Sequence, residues 1–189
     1  MKLSILIPSL IKRQDQFLWL KENLFRQIVS GGFMEEVEIL SEIDNGEQSI
    51  GTKRNTLLSR AEGEYVCFFD DDDTPSMNYV SLIMKAIESQ PDCCSLTGNY
   101  NVDGKFDGIF EHSIKYKAYK TNIGAYIKYE RYPNHLNCIK SSIAKQFNFP
   151  EINHGEDTDF AKQIHESGLL KTEVLIPETI YHYNFKSNK

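Results

Sequence analysis

The chain has 189 residues, of which 40% are hydrophobic and 25% charged, a composition ordinary for a folded globular protein. It excludes a disordered tail, a collagen-like fibre and a solenoid of polar repeats. The 21 lysines and arginines are outnumbered by 27 aspartates and glutamates, so the net charge is −6. This charge excludes a protein that binds nucleic acid by coating its phosphates.

The apolar runs and the cysteines indicate a cytoplasmic protein. The longest apolar runs, such as residues 5–8 and 65–69, are too short to cross a bilayer, and the N-terminus lacks the pattern of a secretory signal. No C-x-x-C pair occurs among the four cysteines, which are Cys67, Cys93, Cys94 and Cys138. We therefore expect reduced cysteines inside a core, not a zinc site or a disulfide framework.

Short apolar runs alternate with helical patterns over the first half of the chain. Predicted strands cover residues 3–7, closed by Pro8, and then residues 37–40 and 65–69. Predicted helices cover residues 15–29, 51–61 and 77–89. This order is typical of parallel βαβ units.

The second half is less regular. Strand segments are predicted within residues 94–110, and at 136–139, 173–176 and 179–183. Helices are predicted at residues 141–147 and 155–167, whereas residues 113–132 show no clean period. Because neither a repeat nor a linker divides the chain, we predict one two-lobed domain over residues 1–189.

Polar residues follow three of the predicted strands. These residues are Pro8 and Ser9, Asp44 and Asn45, and the run Asp70, Asp71, Asp72 and Asp73. In parallel sheets ligands bind outside the carboxyl ends of the strands, so we expect the three sets to converge on one edge.

The four consecutive aspartates are the clearest single feature. Carboxylates in a row repel one another and cannot be buried without partners, so a solvated acidic turn is one interpretation. However, the buried strand before them delivers them to a fixed place at the sheet edge. Hard oxygen ligands suit Mg²⁺ or Mn²⁺ bridged to the phosphates of a substrate, and we favour that interpretation.

The segment from Ile50 to Ser76, IGTKRNTLLSRAEGEYVCFFDDDDTPS, resembles the nucleotide-binding half of glycosyltransferase family 2. The resemblance implies a GT-A fold, that is, an α/β domain with a Rossmann-type mixed, mostly parallel sheet flanked by helices. Residues 1–100 would form the nucleotide-sugar-binding half and residues 101–189 the acceptor-binding half.

The family carries an Asp-x-Asp pair at a strand end. Matched to this sequence, Asp70 would contact the ribose and Asp72 the metal, while Asp71 and Asp73 stay candidates because the register is open by one residue. Asp44 resembles the family aspartate that pairs with the nucleotide base, although it also suits a turn before Gly46.

Further donor-binding residues follow from the same resemblance. The family's G-x-x-x-A-R-N pattern matches Gly51, Lys53, Arg54 and Asn55. The resemblance implies that Lys53 and Arg54 neutralise donor phosphates; the alternative is that they lie on the surface face of a helix. Without the resemblance, Asn55 suits local capping or packing. The family's first strand typically ends in an I-P-x-[YFH]-N pattern. Here residues 7–11 read IPSLI, so the polar residue often found there is replaced, and the resemblance implies that Pro8 and Ser9 contact the nucleotide sugar.

A second acidic pair, Glu156 and Asp157, follows Gly155. It resembles the family's G-E-D-x-[DE] segment, in which the aspartate is the general base, so Asp157 would take the proton of the acceptor hydroxyl with Glu156 beside it. The alternative is an ordinary helix start, where acidic residues are favoured by capping and by the helix dipole.

Two further features stay open. His182 is placed like the late histidine that completes the metal shell in some GT-A enzymes, but it also suits a structural role on a terminal strand. Tyrosines alternate with basic residues between 115 and 132, which suits an acceptor site, a mobile lid, a nucleic-acid surface or contact with an anionic membrane. The net charge argues against nucleic acid.

The resemblance implies a metal-dependent inverting glycosyltransferase using Mn²⁺ or Mg²⁺. The donor would be UDP-hexose or UDP-N-acetylhexosamine, and the acceptor a hydroxyl on a glycan, lipid-linked or protein-linked molecule, in polysaccharide or glycan biosynthesis. Peripheral membrane association is compatible with this function. The alternatives are a nucleotidyltransferase of similar fold, a glycoside hydrolase with paired carboxylates, and a non-catalytic module that binds sugar nucleotides.

Overall fold

The computed structural model describes residues 1–187, which form twelve strands and five α-helices. The strands are β1 (Leu3–Leu10), β2 (Val37–Asp44), β3 (Tyr65–Phe68), β4 (Thr74–Pro75), β5 (Cys93–Cys94), β6 (Leu96–Val102), β7 (Lys105–His112), β8 (Lys120–Ile123), β9 (Ile127–Arg131), β10 (Ile139–Lys140), β11 (Glu173–Val174) and β12 (Thr179–Phe185). The helices are α1 (Gln14–Gly31), α2 (Ile50–Arg60), α3 (Tyr79–Ile87), α4 (Ser141–Ala144) and α5 (Glu156–Ser167).

The first sheet has the order β11-β5-β10-β3-β1-β2. Its centre is parallel, because β1 pairs with both β2 and β3 in the same direction. Helices α1 and α2 connect these strands, which is the predicted βαβ arrangement. Strand β10 is antiparallel to its neighbours, so the sheet is mixed. The predicted α/β fold class is confirmed.

Strand β1 continues past Pro8, where the sequence predicts its end. The Leu6 carbonyl accepts a hydrogen bond from the Phe69 amide on the β3 side. Residues two apart in a strand direct their backbone N and O atoms toward the same neighbouring strand, so the Pro8 nitrogen also faces β3. At that level β3 has already ended, at Phe68. No neighbour needs the N–H that proline lacks, and pairing with β2 runs on to Leu10.

The second sheet has the order β4-β12-β6-β7-β9-β8. It includes the segment without a clean period, which forms the antiparallel pair β8 and β9. All residues of β8 are exposed and all residues of β9 are half-buried, so neither strand has one buried face. The alternation that would predict a strand is therefore missing.

Alternate residues of β1 enter two cores on opposite faces of the first sheet. Ile5 and Ile7 pack with side chains of α1 and α3, whereas Leu6 packs with side chains of α2, α4 and α5. All four cysteines are buried and free, as the sequence predicts. Within residues 1–187, no helix combines the length and the apolarity needed to span a membrane.

Candidate active site

The ends of β1 and β3 meet at a cavity of about 540 Å³. Its walls include Pro8, Ser9, Lys53, Arg54, Asp70 and Glu156. Helix α2 supplies Lys53 and Arg54 to this wall. The helix packs against the Pro150 carbonyl at Gly51, where a Cβ atom would collide with that carbonyl. The structure thus brings the residues after the first and third strands to one edge of the sheet.

The aspartates after β3 point in different directions. Asp71 is buried and accepts hydrogen bonds from the Ser9 hydroxyl and from Arg13, both at 2.6 Å. Asp72 lies in the cavity wall, with a carboxylate oxygen 3.3 Å from the same arginine. Asp73 is buried and accepts hydrogen bonds from the Tyr181 hydroxyl and from a backbone amide of β12, both at 2.7 Å. The run is therefore not a solvated acidic turn.

Arg54 is 4% exposed and joins two carboxylates. Its guanidinium donates to Glu156 and, at 2.9 Å, to Asp70. It also packs over the rings of Phe68 and Phe149, at 5.9 and 5.6 Å from their centroids. Burial, the largest single influence, raises the pKa of Asp70, but the charge and hydrogen bond of Arg54 together with the adjacent His135 outweigh it and hold that pKa well below its usual range. Asp70 is therefore ionised at neutral pH.

Lys53 is also buried and ion-paired, in its case with Asp44. The Asp44 carboxylate also accepts hydrogen bonds from the amides of Gly46 at 2.9 Å and Gln48 at 2.8 Å. Burial raises the pKa of Asp44, but the hydrogen bonds from Lys53 and from the two amides lower it by a larger amount, so the pKa of Asp44 is below its usual value. The carboxylate predicted to contact a base is held by Lys53 and by the amides of its own turn, and it is not among the cavity-lining residues.

Two other predicted site residues lie away from the cavity. The side chain of Asn55 donates to the Phe149 carbonyl at 2.9 Å and accepts from its amide at 2.8 Å. His182 contacts Asn99 at 3.3 Å. It lies between Tyr181 and Tyr183 on β12, whose side chains face the site, so the His182 side chain is on the opposite face of the strand. The structure does not bring Asn55 or His182 to the cavity wall.

Arg13 lines the cavity but was not singled out from the sequence. It lies just after β1, in a short 3₁₀ turn at Ile11–Arg13, and its side chain is 29% exposed. Arg13 is also ion-paired, with Asp71, but Lys53 and Arg54 are buried, so Arg13 is the most open of these three cations. The sequence could have indicated Arg13 as a ligand-binding candidate, because it follows the end of the first strand and ligands bind at the carboxyl ends of such strands.

A second cavity, of about 450 Å³, adjoins the first. Asp157, at the start of α5, lines only the second cavity, whereas Arg54, Asp70, Glu156 and Tyr183 line both. Tyr129 and Arg131, from the tyrosine-rich segment, also lie in its wall. One carboxylate of each predicted acidic pair, Asp70 and Glu156, therefore lies where the cavities join.

A divalent cation at this cavity would need oxygen atoms from a bound substrate in addition to those of the protein. Within the described part of the chain, no group of three or more histidine, cysteine or acidic side chains could hold a metal ion by itself. Magnesium is commonly bound by one or two carboxylates together with the phosphates of a substrate. Asp72, whose carboxylate lies in the cavity wall, supplies a donor of that kind.

Two mixed sheets flanked by helices, with acidic strand ends at a shared cleft, define a GT-A-like fold. The chain is similar to the crystal structure of S. aureus TarS 1-349 in complex with UDP-GlcNAc, with a TM-score of 0.67 and 16% identity over 100% of this chain and 60% of that chain. It is equally similar to the complex of TarS 1-349 with UDP, with a TM-score of 0.67 and 16% identity over 98% of this chain and 61% of that chain.

The model of glycosyl transferase family 2 matches residues 40–149, more than half of the chain. The chain therefore belongs to glycosyl transferase family 2, as the sequence motifs predict. No curated protein matches its sequence. The chain spans 60% of the length of the TarS 1-349 chain.

Proposed function

We propose that this chain transfers a sugar from a nucleotide diphosphate to an acceptor hydroxyl, with inversion at the anomeric carbon. Family membership supports the reaction class, and the TarS complexes with UDP and UDP-GlcNAc support a UDP-hexose or UDP-N-acetylhexosamine donor. The observation that carries the proposal is the junction of the two cavities at Asp70, Arg54 and Glu156.

The two cavities suit two substrates. The nucleotide diphosphate would occupy the first cavity, with its phosphates near Arg13 and Asp72. The acceptor would enter the second cavity, whose wall contains Asp157, Tyr129 and Arg131. A divalent ion, Mn²⁺ or Mg²⁺, held by Asp72 and the phosphates would stabilise the negative charge that builds on the leaving diphosphate.

Asp157 is the proposed general base. Glu156 is committed to the buried ion pair with Arg54, so the neighbouring carboxylate is the one available to the acceptor. As the acceptor oxygen bonds to the anomeric carbon, the bond from that carbon to the diphosphate oxygen breaks and the hydroxyl proton passes to Asp157. Attack opposite the leaving group inverts the centre, and the nucleoside diphosphate departs with the bonding electrons.

The setting of the reaction is also a proposal. The free, buried cysteines support a cytoplasmic location. We propose an acceptor that is a glycan or a lipid- or protein-linked molecule, presented to the enzyme with or without contact at a membrane surface. The predicted division into a nucleotide-sugar half, residues 1–100, and an acceptor half, residues 101–189, remains part of this proposal.

Asp157→Asn tests the assignment of the base. We expect unchanged UDP-GlcNAc binding in calorimetry with Mn²⁺, but transfer, measured as UDP released in the presence of an oligosaccharide acceptor panel, should fall by about 10²–10⁴-fold. Glu166→Gln, which changes an exposed acidic residue near the end of the same helix and outside this motif, is the matched control and should transfer normally. Wild-type transfer by Asp157→Asn would refute the assignment.

Asp72→Asn tests the cation in the same assays. We expect this variant to lose the Mn²⁺-dependent part of UDP binding, because Asp72 is the proposed protein ligand. Retention of that Mn²⁺ dependence would contradict the role of Asp72. Release of pyrophosphate from UTP in place of UDP from the sugar nucleotide would identify a nucleotidyltransferase.

A further inference from the structure

Three buried nitrogen atoms beside Asp70 have no hydrogen-bond partner within residues 1–187. They are both ring nitrogens of His135 and the Nε of Arg54. Both residues are 4% exposed. Buried polar atoms in folded proteins are nearly always hydrogen-bonded, so such a cluster needs an explanation.

The His135 ring is held by packing. It lies beside Phe68 and Phe149, with centroids 6.1 and 6.5 Å away, which are the same two rings that pack against Arg54. Its Nε2 is 3.6 Å from Asp70 Oδ2, longer than a hydrogen bond. The ring forms part of the wall of the second cavity.

The loop that carries His135 is fixed by its own hydrogen bonds. The His135 carbonyl accepts from the Phe68 amide at 2.9 Å, and Asn137 accepts from the Asn134 amide at 3.0 Å while donating to the Cys94 carbonyl at 2.9 Å. The neighbouring buried His112 is bonded to Asn137 at 3.1 Å. The absence of a hydrogen bond to the His135 ring therefore does not reflect a loose loop.

We propose that His135, together with Arg54 Nε, binds a hydroxyl of the donor sugar at the junction of the two cavities. The inference rests on the proposed function. A neutral imidazole has one N–H donor and one bare nitrogen acceptor, and a sugar hydroxyl can both donate and accept. The charge of Arg54 is already used by Asp70 and Glu156, so the N–H of its Nε suits a neutral oxygen.

The position of His135 favours the donor sugar over the nucleotide. Asp70 and Arg54 line both cavities, whereas His135 lines only the second. A sugar joined to a diphosphate in the first cavity must extend past Asp70 to come within reach of Asp157. It would then lie against the imidazole, while the nucleoside and phosphates would not.

His135→Phe tests this assignment, because it keeps a planar ring against Phe68 and Phe149 and removes both nitrogens. The measurement is the ratio of the UDP-GlcNAc to the UDP dissociation constant, by calorimetry with Mn²⁺. We expect UDP affinity to stay within about twofold and the ratio to rise about tenfold, the effect of one good hydrogen bond. Without ligand, the melting temperature should not fall, because the variant removes unpaired polar atoms.

Two further variants complete the test. His135→Gln retains a donor and an acceptor and should bring the ratio back to within about threefold of wild type; it also serves if the phenylalanine variant does not fold. His165→Phe makes the same replacement at a histidine that lines neither cavity and should leave the ratio unchanged.

The possible outcomes separate the inference from the proposed function. An unchanged ratio in His135→Phe, or an equal loss of UDP and UDP-GlcNAc affinity, would overturn the role of His135 and leave the proposed transfer reaction standing. If the wild-type protein bound neither UDP nor UDP-GlcNAc, the proposed UDP-sugar donor would fail and the inference would fail with it.

Discussion

Both polar groups of the Asn55 side chain are bound to the backbone of Phe149. These two hydrogen bonds join α2 to the segment that leads into α5, 94 residues further along the chain. Phe149 in turn packs against Arg54 and, with ring centroids 3.9 Å apart, against Phe160 of α5. A residue that matches the family's donor-binding motif therefore connects two parts of the fold behind the cavity.

We predict that Asn55→Ala lowers the free energy of unfolding by about 2 kcal/mol, the loss of two partly buried hydrogen bonds. Urea denaturation measures this change. UDP affinity should stay within about twofold of wild type, because no atom of Asn55 lines the cavity.

Asn148→Ala is the control, an exposed asparagine beside Phe149 whose loss should leave stability almost unchanged. A tenfold loss of UDP affinity in Asn55→Ala at unchanged stability would show instead that the motif residue binds the donor.

Single residues also show where sequence reasoning ends. Four identical carboxylates in a row give no sign of which is buried, and Asp73 differs from Asp72 because its partner Tyr181 lies 108 residues away. His135 carries no motif, and only its burial without partners distinguishes it from other histidines. Such roles depend on contacts between distant parts of the chain, which local patterns do not encode.

At the scale of elements, the parallel strands and their helices are predictable because each has a strong periodic pattern. Helix α1 buries Phe17, Leu20, Leu24 and Ile28 at helical spacing and ends at Gly32, whose φ is 74°. The two-residue strands of the first sheet, β5, β10 and β11, are different, since they exist only where a neighbour pairs with them. The predicted strand at residues 136–139 is reduced in the structure to Ile139 and Lys140 for this reason.

The β7–β9 pair carries a charge cluster centred on Glu111. Its carboxylate pairs with Lys115, which follows β7, and at 2.7 Å with Lys128 of β9. Burial raises the pKa of Glu111, but the hydrogen bonds from the two lysines and Tyr116, together with the Lys128 charge, outweigh burial and lower the pKa to about 2. The cluster joins β7 to β9 beside the second cavity.

The lowered pKa of Glu111 means that its ionised carboxylate stabilises the folded protein at neutral pH. Because the folded pKa of about 2 is below the reference value of 4.5, the contribution is fully present above the reference pKa and is lost as pH falls toward 2. We predict that Glu111→Gln costs about 1 kcal/mol at pH 7, since the pairs are partly solvated, and that the difference from wild type narrows as pH falls to about 3.

Urea denaturation at several pH values measures the difference. Glu166→Gln, which removes an exposed glutamate 3.8 Å from Lys162, is the control and should change stability little at any pH. A Glu111→Gln cost that stayed constant from pH 7 to about 3 would contradict the ion-pair origin.

At the scale of the whole molecule, the site depends on both sheets. Asp73, after β3 of the first sheet, is hydrogen-bonded to Tyr181 and Asn184 of β12 in the second. Tyr183 of β12 lines both cavities, next to Asp70. A ligand at the junction therefore contacts segments of both sheets, and its binding energy should oppose the opening of either one.

Hydrogen exchange of backbone amides can measure this coupling. With UDP-GlcNAc and Mn²⁺ at about ten times the dissociation constant, we expect exchange to slow by up to about tenfold at residues 9–13, at residues 70–74 and along β12. Residues 85–90 should be unaffected, because they pack near Lys2 and Tyr65, at the beginnings of β1 and β3 on the opposite edge. The same measurement on Asp72→Asn, at equal ligand concentration, should show little protection anywhere. Slowing confined to the first sheet, with β12 unchanged, would mean that the second sheet does not take part in holding the donor.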